Sequence, residues 1–354
     1  MPANVTKKLS ALSTGVGLVL LCYMAYATIY GPYKTTFVHL AIFALCSFVA
    51  LFLDSIIQNI GSKFSILKNF SLLVASVSVL GYFIIEFERL INLWGSTYLS
   101  SWDILLGGFF VMICIEASWR QSLVLGTLAV TSCLYMLFGD YLPGVFSHAG
   151  MDFERFIYIV VYTSEGLFGT GLKVAATYLF MFVILGSVLR VTKTGDFMID
   201  MANSLLGSKV GGAAKGAMAA SAGLGTIVGS SIGNVLATGT FTIPLMKRTG
   251  FEPHVAAAVE TNTSEGAQLV PPILGASAFI MAQLTGIPYE VIALAAVVPA
   301  SLYYLSLYSV VHIEALKHNI RGLPEEEIPS IKKTFTRGWH LLVAPISLFY
   351  LLLV

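Results

Sequence analysis

Apolar residues in this chain come in long blocks. A helix needs roughly 20 apolar residues to cross a bilayer. Blocks of about that length lie near 12–30, 37–54, 69–86, 103–119 and 121–139. A polar stretch, 140–153, contains DYLPGVFSHAG and separates them from a mixed segment, 154–172, and a strong run at 174–192. Further runs lie at 289–315 and 339–354. Each of these strong runs predicts a spanning helix. TGDFMIDMANSLLG, 194–207, has a different pattern. It reads as a short amphipathic helix on the inner interface, with Asp196 as its N-cap.

The region between 210 and 286 breaks the pattern twice. GTIVGSSIGNVLATGT, 225–240, places Ser230, Ser231, Gly233 and Asn234 together amid apolar neighbours. Lys209 and Lys215 precede it, and Lys247 and Arg248 follow it. If all four face the inside, the chain between them must enter and return. About 30–35 residues are available, whereas two full spans need roughly 40 plus a turn. Two helices of ~15 residues reach only ~22 Å each, which predicts a re-entrant hairpin over 210–247 with its tip at Gly229–Asn234. Gly225, Gly229 and Gly233 also read as a small-residue stripe that lets helices pack closely. The two readings are compatible, because the arms of a hairpin must pack.

The second break lies in 254–284, whose centre reads Glu260-Thr-Asn-Thr-Ser-Glu-Gly266 followed by Pro271-Pro272. Each proline removes a backbone donor and clashes with the carbonyl four residues earlier. That frees the carbonyls of Ala267 and Gln268 and predicts a spanning helix unwound at its middle. Irregular backbone at membrane depth is tolerated only where protein or a cavity surrounds it.

Composition agrees with the pattern. The 354 residues are 56% hydrophobic and 11% charged, with a mean hydropathy of +0.83. A soluble domain is about 25% charged, so one aqueous core cannot hold this apolar surface. A net charge of +1 carries no nucleic-acid footprint. Cys22, Cys46, Cys114 and Cys133 lie in apolar segments at unrelated spacings and read as buried thiols. There is no HExxH and no paired aspartate in a span, which argues against an enzyme. Lys7 and Lys8 precede a run that reads as a first span and not as a cleaved signal. With Lys63, Lys68, Arg120, Arg190 and Lys193 they place the N-terminus inside; Lys34 and Arg89 fall outside, so the rule holds as a bias. The reading is an all-α integral membrane protein, a multi-span bundle with a re-entrant hairpin and a broken transmembrane helix.

The two breaks offer binding chemistry. Freed carbonyls and Ser, Thr and Asn oxygens suit a hard cation, while helix N-termini suit an anion. Discontinuous helices near the midplane are the usual architecture of secondary-transporter sites. An ionisable group at membrane depth is a functional candidate by default. Glu265 is weighed toward ion or substrate coupling, and Glu260, nearer the inner face, toward a structural salt bridge. Elsewhere, Glu116 and Arg120 read as a local i,i+4 ion pair. Glu86, Glu88 and Arg89 read as solvated, His39 as hydrogen-bonded packing and His254 as surface.

The stretch 163–324 resembles the large membrane subunit of TRAP transporters. The fused type, in which a small four-span subunit precedes the large one, is the form it looks most like. The carrying residues are TSEGLFGTGLKVAATYLFMFVILGSVL, GGAAKGAMAASAGLGTIVGSSIGNVLATGTFTIPLMKRTGFEP, PPILGASAFIMAQLTGIPY, PASLYYLSLYSVVHIEA and RGLPEEEIP. The resemblance implies a small-subunit-like domain over 1–120 and the first part of a large-subunit transport domain over 121–354. It implies a sodium-coupled importer of organic acids (carboxylates) working by an elevator movement. Its partner would be a periplasmic substrate-binding protein, of the TAXI class that fused members often use. No cofactor is expected beyond sodium as coupling ion, and the location would be a bacterial or archaeal cytoplasmic membrane. Carried over, the family's sodium site points to Ser230, Ser231, Gly233 and Asn234, with Thr261, Asn262, Thr263 and Gly266 as contributors.

Two departures stand out. Where the family reads Glu-Ala-Ala-Ala-Ser-Thr-Gly-Gly-Gln, this chain reads Glu260-Thr-Asn-Thr-Ser-Glu-Gly-Ala-Gln268, which brings Glu265 into the candidate site. Only the first of the family's two inverted repeats is present before Val354, so a truncated large subunit lacking its second repeat is expected. Two other classes stay open: an ion-coupled carboxylate carrier that needs no binding protein, and a non-transport membrane scaffold.

Overall fold

The computed structural model describes residues 3–58, 63–92, 99–192, 194–343, 346–347 and 350. Among these residues the chain is helical throughout, without a strand. Among the described residues seven helices are long and apolar enough to cross a membrane: Lys7–Tyr30, Thr36–Gln58, Lys63–Ile85, Ser101–Gln121, Leu123–Tyr141, Thr170–Val188 and Tyr289–Lys317. The apolar run 339–354 lies partly outside the described residues. The chain forms two compact units, Met1–Thr177 and Tyr178–Val354.

The first unit contains α1 (Ala3–Tyr30), α2 (Thr36–Gln58), α3 (Lys63–Ile85), α4 (Phe87–Asn92), α5 (Ser101–Gln121), α6 (Leu123–Phe138), α7 (Phe153–Tyr162) and α8 (Thr170–Val174). Its core is aromatic, with Phe83 edge-on to Phe110, Tyr162 and Phe168. Polar clamps tie the helices together. Arg120 pairs with Glu116 at 3.0 Å, as i,i+4 spacing suggests, and also donates to Ser55 on α2 and Asn69 on α3. His39 is buried against the Tyr23 hydroxyl at 3.2 Å. Arg89 is not a solvated charge. It grips Asp103, which is fully buried at the start of α5 in a capping box with Ser100. A buried carboxylate needs donors in place of water, and the guanidinium supplies two of them. The thiols are not uniformly buried, since Cys22 is exposed on α1.

The second unit holds α9 (Phe180–Val191), α10 (Thr194–Leu206), α11 (Gly212–Val228), α12 (Ser231–Arg248), α13 (Pro253–Glu265), α14 (Ala276–Thr285), α15 (Tyr289–Lys317) and α16 (Ile331–Gly338). α10 starts at Thr194, so Asp196 sits inside its first turn and is not the N-cap. An acid there still favours the positive end of the helix dipole. The core is built from Ala213, Ala214, Ala217, Ala256, Val259, Val311 and Ala315, with Met246 and Phe251 filling it. Alanine faces let helix backbones come close.

α11 and α12 are arms of 17 and 18 residues. Gly229 ends α11 in the left-handed conformation, φ +58°, and Ser230 caps α12 by accepting the Gly233 N–H. The break after α13 comes later than the polar stretch suggests. Residues 260–265 remain helical, and the irregular backbone runs from a 3-10 turn at Gly266–Gln268 through Pro271-Pro272 to α14. Polar side chains do not by themselves end a helix, because they can bond to its own carbonyls. Proline does end one, by deleting donors.

Candidate functional site

The hairpin tip and the break after α13 meet inside the second unit. A Cβ on Gly225 would stand 2.7 Å from the Ala267 Cβ, and one on Gly229 would stand 2.2 Å from the Leu274 carbonyl oxygen. Only glycine permits that approach, and at Gly229 it also permits the positive φ. Ser231 accepts a 2.7 Å hydrogen bond from the Gln268 amide, whose nitrogen also lies 3.2 Å from Glu265. The tip is thus tied to the 3-10 turn by side chain as well as by backbone.

Asn234 is fully buried one turn into α12. Its amide nitrogen donates to the Ser221 carbonyl at 3.0 Å and to the Ser221 hydroxyl at 2.8 Å, crossing between the hairpin arms. Its Oδ1 has no hydrogen-bond partner among the described residues. A buried carbonyl oxygen without a partner is costly, and a hard cation is a ligand that such an oxygen accepts. Asn203 on α10 also has a partnerless Oδ1, but a Cβ on Gly216 would lie 2.1 Å from that oxygen, so helix backbone already fills the space.

The other candidate residues are arranged differently. Thr261, Asn262 and Thr263 lie within α13 and bond to the carbonyls of Ala257, Ala258 and Val259. Thr263 is buried, whereas Thr261, Asn262 and Glu265 are exposed. The last carbonyls of α13 are capped from α15: Tyr303 donates to Asn262 at 2.6 Å and Tyr304 to Thr263 at 2.9 Å. Gly266 is buried beneath those rings, where a Cβ would stand 2.6 Å from the Tyr304 hydroxyl. Of the two carbonyls freed by the prolines, that of Gln268 is taken up by the Gly275 N–H at 2.9 Å. Tyr289 holds the next carbonyls, of Pro272 and Ile273.

Two ionisable side chains, Glu260 and Lys215, are buried with partners that the sequence reading did not foresee. Glu260 is fully buried with Thr238, Thr242 and Ser264 around its carboxylate. It makes no salt bridge among the described residues, contrary to the sequence reading. The cue was present in the sequence. Asn234, Thr238 and Thr242 recur every four residues on α12, as Glu260 and Ser264 do on α13, so each set lies on one helix face. Lys215 is 2% exposed, so it is not an interfacial loop charge. Its ammonium lies 2.9 Å from His312 Nδ1 and 4.7 Å from the Tyr308 ring centre.

A search of curated proteins found no match. The family model for the tripartite ATP-independent periplasmic transporter, DctM component, matches residues 106–354. That span takes in both breaks and the whole second unit. The chain is therefore a multi-pass membrane protein of the DctM family, the membrane component of a transporter and not an enzyme.

Proposed function

We propose that this chain serves a sodium-coupled importer of organic acids. A periplasmic substrate-binding protein, of the TAXI type, delivers the substrate, and the hairpin and broken helix move together as an elevator. The chain sits in a bacterial or archaeal cytoplasmic membrane with its N-terminus inside. Membership of a tripartite transporter family supports the transport reading and the binding-protein partner. One observation carries the cation: the buried Oδ1 of Asn234, without a hydrogen-bond partner among the described residues, beside a hairpin tip where Ser230 accepts from Gly233 and Ser231 from Gln268. Asn234 supplies an oxygen ligand, Ser230 and Ser231 line the tip, and Gly233 leaves room for the first turn of α12. Thr261, Asn262, Thr263, Glu265 and Gly266 form the α13 side of the same region. Hard oxygen donors of this kind select a cation such as sodium over softer metals.

The test is initial uptake of a panel of radiolabelled carboxylates by the reconstituted transporter, measured against sodium concentration. Asn234→Ala removes one ligand and keeps a small residue. Losing a buried partner costs ~1–3 kcal/mol, which raises the half-saturating sodium concentration roughly 5- to 150-fold. The exposed α15 residue Leu294 provides a control, Leu294→Ala. A sodium curve unchanged in Asn234→Ala removes that side chain from the site. Uptake that is equally fast without any binding protein favours a carrier that works alone.

A further inference from the structure

The loop that follows α6 folds back along it. The span Leu123–Tyr141 closes with a 3-10 turn at Gly139–Tyr141, and a second such turn follows at Gly144–Phe146. Phe146 then lines one apolar groove with Leu128, Thr131 and Tyr135 of α6. Tyr135 lies six residues inside the end of that span, which is ~9 Å of helix. The loop is therefore level with the last part of the span and does not stand off it. Its exposed side chains are apolar: Val145 is 93% exposed, Tyr141 80% and Phe146 66%. Side chains of this kind gain by leaving water.

Polar main-chain groups of the loop are turned inward, and His148 organises them. The Leu142 and His148 N–H groups both donate to the Gly139 carbonyl, and the Ser147 N–H donates to that of Gly144. The ring of His148 takes up two more. Its Nδ1 lies 3.0 Å from the Gly150 N–H, and its Nε2 lies 2.7 Å from the Tyr135 carbonyl. A main-chain N–H only donates and a carbonyl only accepts. The ring is thus the neutral Nε2–H tautomer with both nitrogens used. Gly139 allows the approach, because a Cβ there would stand 1.8 Å from Nε2. A loop satisfied in this way leaves bulk water without stranding those groups. Between 139 and 150 there is no Lys or Arg and a single carboxylate, Asp140, which is exposed. A carboxylate needs headgroups or water, so Asp140 limits the depth of the loop to the interface.

We propose that residues 139–150 form a membrane-interface anchor at the end of α6 opposite Arg120. Tyr141, Val145 and Phe146 sit among the lipid headgroups and the adjoining acyl chains, and His148 holds the loop in the shape that presents them. Tyrosine, with an apolar ring and a polar tip, favours this zone. Lipid is the occupant because the exposed face of the loop continues the exposed apolar face of α6, a helix long and apolar enough to cross the bilayer. The anchor sets the depth at which α6 sits.

The test reads that depth. Val145→Cys, Phe146→Cys, Leu128→Cys and Glu326→Cys are made singly in the Cys-free protein, labelled with a nitroxide and reconstituted in liposomes. Oxygen concentrates in hydrocarbon and a neutral nickel chelate in water, so the ratio of their collision rates with the nitroxide reports depth. Leu128 is the reference within the span, and Glu326, in the exposed turn Glu325–Glu327, is the reference in water. At 145 and 146 the oxygen-to-nickel ratio is expected to lie well above that at 326 and below that at 128. Adding His148→Ala is expected to bring the ratio at 146 down to the value at 326. Ratios at 145 and 146 equal to that at 326 place the loop in water and overturn the anchor. Low collision rates with both reagents mean that protein covers the face, a second copy or another partner, and overturn it equally. An anchored label that His148→Ala leaves unmoved overturns the role of His148. If His148→Ala does not fold, the labels at 145 and 146 still decide the anchor.

Discussion

Lys215 and Glu260 are both buried in the second unit, between them touching His312, Tyr308 and three hydroxyls, with no oppositely charged partner among the described residues. For Lys215 the neighbours are His312, which receives one hydrogen bond, and the face of Tyr308. Buried charges often add little net stability, and apolar residues of matching volume replace them at small cost. Lys215→Met is therefore expected to change unfolding free energy by less than ~1.5 kcal/mol, the range of volume-conserving swaps. Lys215→Ala also empties the space and is expected to cost ~2–5 kcal/mol. Thermal unfolding of the two variants in detergent checks this. Equal losses would mean that the charge, and not the volume, is what α11 and α15 require.

The helices around the tip owe their geometry to particular glycines. Gly225, Gly229 and Gly233 share a spacing of four but not a role. Gly225 lies against Ala267, Gly229 combines a positive φ with a carbonyl contact, and a Cβ on Gly233 would meet a Val228 methyl at 3.0 Å and the Ser230 side chain at 3.5 Å. Gly229→Ala is expected to lose ~1–2 kcal/mol from the left-handed backbone alone, and more from the Leu274 contact. Gly233→Ala is expected to be far milder, although Gly233→Leu exceeds the available room. The yield of monodisperse protein in detergent, compared across the three, reads this out. Similar yields for Gly229→Ala and Gly233→Ala would contradict the assignment of the tight turn to Gly229. On α13 the polar run stays helical for a comparable local reason: Thr261, Asn262 and Thr263 each bond the carbonyl four residues back.

The orientation of the chain rests on the distribution of its positive charges. Lys209, Lys247 and Arg248 are exposed at the ends of the hairpin, while Lys215 is buried and drops out of the count. Three charges still bracket the hairpin, and the loop 317–338 carries Lys317, Arg321, Lys332, Lys333 and Arg337. Single cysteines at Ser208, Thr249 and Ser330, placed in a Cys-free background, are expected to react with an impermeant thiol reagent from the cytoplasmic side alone. Reaction at Thr249 from the opposite side to Ser208 would mean that 210–247 crosses the membrane once, and α11 and α12 would no longer be a re-entrant pair.

Apolar run length settled the class of this protein before any coordinates. Burying some 20 residues per span is a transfer free energy that adds along the chain. The gap at Gly229–Ser230 was equally legible, since turn chemistry is local. The side-chain network of the site was not. Glu260 and Glu265 lie five residues apart, and ~100° of helix per residue turns them roughly 140° from one another. Sequence favoured Glu265 as the functional group. Packing turned Glu260 inward to meet Thr238 and Thr242, with Glu265 left exposed. Likewise Lys215 read as an interfacial charge until α15 brought His312 and Tyr308 to it. Periodicity states which residues share a helix face. Which face turns toward its neighbours depends on the rotation of each helix about its axis, and that is set by contacts such as Gly239 on Glu260 and Gly225 on Ala267, made between residues far apart in the chain.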